Sequence, residues 1–271
     1  MPTSPDDDIA LPDPHVRALG IAVIAGGAHR ERQPVDIAME SYATFLDQHT
    51  ALPIARMKLV DNAPRAVADH IAGLPETVAA FVIGLPPAEN AIVQALAATV
   101  GDRLVVTDTD ILAASVGAAV LTAHRALGTT AARRRSAVLG SDRVPLLPAV
   151  LRDLGLGAVH GIPSEKISTR DLLAITENHE VVVDFTGRIA TWTPTAGILI
   201  PHCALYQVCV ALPGVVHALC GHPTAIPTPA VLAAAARAIA TFTAPGRTLP
   251  DPDTPGLPEA VARAVTAVLD R

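Results

Sequence analysis

Around position 140 the chain has the layout of a dinucleotide turn, but two of the residues that chemistry needs are replaced. Ser136-Ala137-Val138-Leu139-Gly140-Ser141-Asp142-Arg143-Val144-Pro145 leads into the helix-like run Leu146 to Leu154. That is the order strand, tight turn, helix. A dinucleotide asks for G-x-G-x-x-G here: small residues let the backbone approach the pyrophosphate, and the helix N-terminus faces the anion. Only Gly140 remains of the three, with Asp142 in the second glycine position and Pro145 in the third. A fixed carboxylate beside a doubly charged pyrophosphate is repelled by kilocalories at low effective dielectric. The residues therefore predict a degenerate nucleotide site at Gly140, Asp142 and Arg143. Asp142 and Arg143 can pair with each other or cap the helix that follows. Alternatively, Arg143 holds an acidic ligand where the pyrophosphate would lie, since guanidinium suits a carboxylate.

Other groups could also do chemistry. Asp108 and Asp110 flank a strand-to-helix turn. They read either as a metal or acid/base pair, since Mg²⁺ and Mn²⁺ prefer clustered oxygens, or with Asp110 simply as a helix cap. The window 202–222 holds His202, Cys203, Cys209, His217, Cys220 and His222, which are zinc-type ligands without the spacing of a zinc knuckle. Buried packing is the better reading of those cysteines. Glu165-Lys166 reads as a loop ion pair and Arg133-Arg134-Arg135 as a solvated join.

The elements that must position these groups alternate. Apolar runs at Val16–Ala25, Leu52–Val60, Val78–Leu85 and Arg103–Thr107 read as strands. Between them Val35–Gln48, Pro64–Gly73 and Glu89–Val100 carry helical spacing, with Pro86-Pro87 as a break. A long apolar helix, Ile111–Leu127, follows Asp110. The second half reads as strand 136–140, helix 145–154, strand 157–161, helix 169–176 and strand 180–185. Ile198–Leu212 then leads to Pro213-Gly214, and helices follow at Thr228–Thr243 and Pro258–Leu269. The class is α/β, with two lobes, the second a Rossmann-like parallel sheet flanked by helices. The expected division is a disordered tail at 1–14, a first lobe at 15–128 and a second at 129–271. No internal repeat is evident in the sequence.

Composition bounds the partners. The chain has 271 residues, half of them apolar and 3% aromatic, so its cores must be aliphatic. Net charge is −6, and of the 20 basic residues only Lys58 and Lys166 are lysines. There is no basic stripe for nucleic acid. The N-terminus is acidic and proline-rich, unlike a signal peptide, and no apolar run reaches bilayer length. A soluble cytoplasmic protein without a membrane partner is expected. Three cysteines make no disulfide framework.

Several segments together resemble the malic enzyme family. "ALPGVVHAL" (211–219) is similar to its F-P-G-[IL]-F-R-G-A-L, and "AAAARAIA" (233–240) to its A-A-A-x-A-[IL]-A helix. "TLPDPDTPGLPEAVARAVTAVL" (248–269) resembles its I-L-P-x-x-x-D-P-R … V-A-x-A-V-A ending, and "VVTDTDILAASVGAAVLTAHRAL" (105–127) its V-F-x-D-D-x-x-G-T-A segment. Pro34 to Leu85 fits the part from P-V-M-E-G-K to F-G-G-I-N-L-E-D. The resemblance implies malate oxidation with NAD(P) and decarboxylation around a divalent metal, but the expected groups are missing. The family's lysine falls at Tyr42, its Glu-Asp metal pair at or near Pro86-Pro87 with Glu89 the nearest acid, and its asparagine pair near Gln207-Val208. The acid after the second Rossmann strand falls near Ile162-Pro163, and the catalytic tyrosine segment has no counterpart. Asp108 and Asp110 stand where the family has Asp-Asp.

The expectation is thus a truncated, divergent malic-enzyme-like scaffold. It would bind a small organic molecule in an interlobe cleft for cofactor-free proton transfer, elimination or cyclisation, as a lyase or isomerase would. The candidate catalytic residues are Tyr42, Glu40, Glu89, Asp108 and Asp110, with neither cofactor nor metal. Tyrosine, with a free pKa of about 10, suits a general acid or hydrogen-bond donor, and a Tyr–Glu pair is expected with Glu40, one helical step away, or Glu89, facing it from the next element. The alternatives are an active NAD(P)-dependent, decarboxylating malate dehydrogenase with Mg²⁺ or Mn²⁺, and a non-catalytic binding or partner protein. A homo-oligomer is expected.

Overall fold

The computed structural model describes residues 20–26, 35–59, 63–74, 77–100, 103–128, 134–189, 198–201, 204–222 and 226–271. The proposed tail, His202, Cys203 and Arg133 lie outside them. Strands β1 (Gly20–Ala25), β2 (Ile54–Lys58), β3 (Thr77–Ile83) and β4 (Leu104–Thr107) alternate with helices α1 (Val35–His49), α2 (Pro64–Ala72) and α3 (Pro87–Val100). The long helix α4 (Asp108–Ala126) leads to β5 (Arg135–Leu139), α5 (Leu147–Asp153), β6 (Ala158–Ile162), α6 (Thr169–Asn178), β7 (Val181–Asp184) and β8 (Ile198–Pro201). Helices α7 (Ala204–Cys220), α8 (Pro229–Phe242) and α9 (Leu257–Leu269) complete the described chain.

The strands form two four-stranded sheets, β2-β1-β3-β4 and β6-β5-β7-β8, and every recorded pairing is parallel. The α/β alternation read from the sequence is therefore present. The two sheets also share one strand order, a repeat of topology with no counterpart in the sequence. Parallel strands need crossovers and are buried on both faces. Along β1, Ile21, Val23 and Ala25 face the main core, while Ala22 and Ile24 face the smaller cluster with Val67, Ile71 and Val93. In the second sheet Val138, Val181 and Val183 face the main core, and Ala137, Leu139 and Val182 face α6. This is the two-residue side-chain alternation of a strand used to fill two layers.

Helix α4 lies between the sheets and is buried on nearly every side from Asp110 to His124. A helix apolar all round belongs in an interior. Its small residues allow close approach: a Cβ on Gly117 would lie 3.1 Å from Val150 Cγ1 and 3.4 Å from Ala236 Cβ. Two expectations change here. Pro87 opens α3 rather than breaking the chain, since an N-terminal proline gives up no helical hydrogen bond. Pro213-Gly214 does not end a segment, because α7 continues through both. Gly214 lets α9 cross there: a Cβ would meet Pro258 O at 2.5 Å and Val261 Cβ at 2.6 Å. The main core, α7 included, supplies the burial that offsets an interior proline.

Candidate functional site

The carboxyl ends of β3, β4, β5 and β7 line a cleft of about 430 Å³, flanked by α1 and α7 and open to solvent on one side. Ligands in open parallel sheets sit at strand carboxyl ends. The polar side chains on the wall are Tyr42, Asp108, Thr109 and Arg143, and the remainder is aliphatic, proline, glycine and Phe185.

Tyr42 belongs to the buried face of α1 with Met39, Ala43 and Leu46. Its ring meets Phe81 edge-on, centroids 5.5 Å apart at 81°, which fixes its direction from the floor of the first sheet. Asp108 is the first residue of α4. Its Oδ1 accepts from Thr109 N–H at 2.8 Å and its Oδ2 from Gly84 N–H at 3.3 Å, so the carboxylate ties the β3 turn to the helix start. Gly84 has φ +80°, and a Cβ there would lie 2.8 Å from Gly26 O, which only glycine tolerates. Thr109 Oγ1 sits 2.9 Å from Thr107 Oγ1 and accepts from Asn90 Nδ2 at 3.3 Å.

The other expected site residues lie elsewhere. Asp110 is absent from the cavity wall and closes a capping box with Thr107. Thr107, not Asp110, is the N-cap, and Asp110 occupies the third helical position. Asp110 Oδ2 accepts from Thr107 N–H at 2.9 Å and from Gln94 Nε2 at 2.7 Å. Burial pushes its pKa up to about 6, against the pull of the Thr107 and Gln94 bonds. Glu40 is exposed and pairs with Arg56 at 3.0 Å, so the expected Tyr42–Glu40 grouping does not form. Residues two apart on a helix point to different sides. Glu89 lies in the first turn of α3 and is not part of the wall.

In the second sheet the turn after β5 is stitched to its neighbours. Gly140 has φ +73°. Asp142 Oδ1 accepts from Ser164 N–H at 2.6 Å and Ser164 Oγ–H at 2.9 Å, and those bonds hold its pKa below the usual carboxylate value despite some burial. Arg143 Nη1 donates to Phe185 O at 3.0 Å. Asp142 therefore does not cap α5, which begins after Leu146 without a side-chain cap; its carboxylate instead meets the first N–H of the short 3-10 turn Ser164–Lys166. Asp184, which the sequence reading passed over, is the organiser of the β7 end. Its Oδ1 accepts from Thr186 N–H (2.8 Å), Thr186 Oγ–H (2.6 Å) and Gly187 N–H (3.1 Å), and its Oδ2 from Ile189 N–H (2.7 Å). The signal was present as Asp-Phe-Thr-Gly at a strand end, an Asx-turn composition. Thr109, also unflagged, follows from the same turn logic after β4.

Among the described residues no cluster of three or more His, Cys, Asp or Glu is placed to hold a metal. Cys209 is buried and its thiol is pushed up to about 12, mainly by desolvation, as suits a packing residue. No described helix is long and apolar enough to cross a membrane.

Comparisons with known proteins give one consistent answer at the level of structure. No family model matches the sequence, and no curated protein matches it. Among solved structures, the NAD-dependent malic enzyme of Thermotoga maritima superposes with a TM-score of 0.74 at 15% identity, over 92% of this chain and 84% of that one. The malic enzyme of Pyrococcus horikoshii gives 0.74 at 15% identity over 94% and 77%. The Entamoeba histolytica malic enzyme gives 0.74 at 14% over 94% and 70%. The two parallel sheets, the helices between them and the cleft at their strand ends thus form the malic enzyme fold, as the partial motifs had led us to expect.

Proposed function

We propose that this chain uses the malic enzyme fold to bind a small organic molecule in the cleft between its sheets and to move a proton on it without a nicotinamide or a metal. The observation that carries the reading is the placement of Tyr42, Asp108 and Arg143 on the wall of one cavity. The Asp108 carboxylate takes a proton from the substrate. The Tyr42 hydroxyl donates to the atom that gains charge, and the apolar wall keeps water away. Such a step serves an isomerisation, an elimination or a cyclisation.

Two features support the loss of cofactor chemistry. At the β5 turn, Asp142 is bonded to Ser164 and Arg143 reaches across to Phe185 O, so the place of a pyrophosphate holds a carboxylate and a bridging side chain. The residues present do not fit a dinucleotide. On the cavity wall the described residues offer one carboxylate, Asp108, beside Pro86 and Pro87, whereas Mg²⁺ and Mn²⁺ need several oxygen ligands. They do not fit that metal either. We read the protein as a soluble homo-oligomer of this kind.

Thermal denaturation with added NAD or NADP tests the cofactor arm. A ligand at a hundred times its dissociation constant adds about 2.7 kcal/mol, so an unchanged midpoint is expected and a clear rise defeats the reading. Deuterium uptake from D₂O into a panel of carbon acids, followed by NMR, tests the catalytic arm. Tyr42→Phe and Asp108→Asn should each slow exchange about 100-fold or more. Wild-type exchange rates in both variants would remove these residues from the chemistry.

A further inference from the structure

We propose that the ligand of this cleft is an aliphatic monocarboxylate, with its head on Arg143 and its body against α1, α4 and α7; this rests on the cleft being the ligand site proposed above. The wall is mostly hydrocarbon. Val35 and Ala38 from α1, Leu112 from α4, and Leu205 and Val208 from α7 face one space; Asp108, Thr109 and Arg143 stand at strand ends and Tyr42 on α1. A short polar diacid would leave that hydrocarbon uncovered and bring a second carboxylate toward Asp108. An apolar body covers it, and each buried methylene tightens binding about fourfold.

The head group follows from charge. Arg143 is the one cation among the described wall residues and enters from the second sheet, while Asp108 enters from the first. An anion is drawn to one and repelled by the other, so the ligand is oriented with its reacting carbons toward Tyr42 and Asp108. A guanidinium presents a planar fork that matches a carboxylate, and the bond from Nη1 to Phe185 O tethers one of its nitrogens and leaves other N–H groups of the fork to donate. A dianion such as a phosphate suits the place less well, because Asp142 adjoins Arg143 in the turn and the described wall supplies no second positive group.

Calorimetric titration of the full chain with butanoate, hexanoate, octanoate, 1-octanol and malate tests this. Affinity should rise about fourfold per methylene along the carboxylates, and octanol should bind at least tenfold more weakly than octanoate. Arg143→Leu should weaken octanoate at least tenfold and leave octanol unchanged. Arg143→Lys, which keeps the charge but not the fork, should fall between. Ala38→Leu, which fills the wall, should weaken both ligands. Melting curves establish that each variant is folded. Octanol binding as tightly as octanoate, wild-type octanoate affinity in a folded Arg143→Leu, malate binding more tightly than octanoate, or no binding of any carboxylate would each overturn the proposal. Its failure is separable from that of the cofactor-free reading. A nicotinamide-dependent rise in melting temperature with the octanoate response intact sinks only the latter.

Discussion

The two sheets have the same strand order and meet one cavity with their carboxyl ends, but the turns at those ends differ. In the first, the turns after β3 and β4 present Asp108 and Thr109 to the cavity, and Asp108 spends its oxygens on two backbone N–H groups. In the second, the turns after β5 and β7 are bound to their own surroundings. Asp142 holds Ser164, Arg143 holds Phe185 O and Asp184 gathers four donors from its own turn. One topology therefore carries a rim whose acid faces the cavity and a rim whose acids do not. The difference lies not in local hydrogen bonding, which Asp108, Asp142 and Asp184 all complete, but in which of these acids also lines the cavity.

The largest test of that contrast is Asp184→Ala. It removes a buried acceptor from four donors and should cost about 3 kcal/mol or more, read as a lower denaturant midpoint. Asp108→Ala, at the open rim, should cost about 1 kcal/mol. Equal costs would break the comparison.

Helix α4 carries one opposed pair. Near its start Asp110 has a pKa raised to about 6, and near its end His124, bonded to Ser136 Oγ at 2.9 Å, has one lowered to about 4, chiefly by burial. Between these limits and their unfolded values of 3.8 and 6.5, the folded state holds extra protons at Asp110 and lacks them at His124. Asp110 therefore destabilises as pH rises from about 4 to 6, and His124 destabilises as pH falls from 6.5 toward 4. Each is worth up to about 3 kcal/mol, and they offset each other. Asp110→Asn should leave a steep loss of stability on acidification. His124→Gln should leave the Asp110 contribution alone, so that stability rises relative to wild type as pH falls from 6 toward 4. Melting curves from pH 4 to 7 read both, and parallel profiles in all three proteins would refute the pairing.

Helices α4 and α7 each follow the last strand of a sheet, and each carries a glycine at a close helix crossing. Gly214→Ala forces a contact on Pro258 O and should cost about 2 kcal/mol. Gly117→Ala meets only side chains that can shift, and should cost about 1 kcal/mol or less. The smallest effect is expected from Asp142→Ala, because the group is exposed, and a change under about 1 kcal/mol in the denaturant midpoint is predicted.

By itself the sequence determined the layers. Apolar runs of strand length, helical spacing between them and turn residues at their ends encode local preference, so the alternation of β1 to α4, the placement of α8 and α9, and the altered turn at Asp142 were all legible. The partial motifs also pointed to the fold. Only the tertiary structure decided which acids face one another. Glu40 and Tyr42 are two residues apart yet point to different sides of α1, Asp110 is consumed by Thr107 and Gln94, and Asp184 is occupied by its own turn. Arg143 reaches the cavity wall from a different sheet. Spacing along a chain fixes direction only within one element. Which side chains converge depends on how the elements pack, through contacts between residues far apart in sequence.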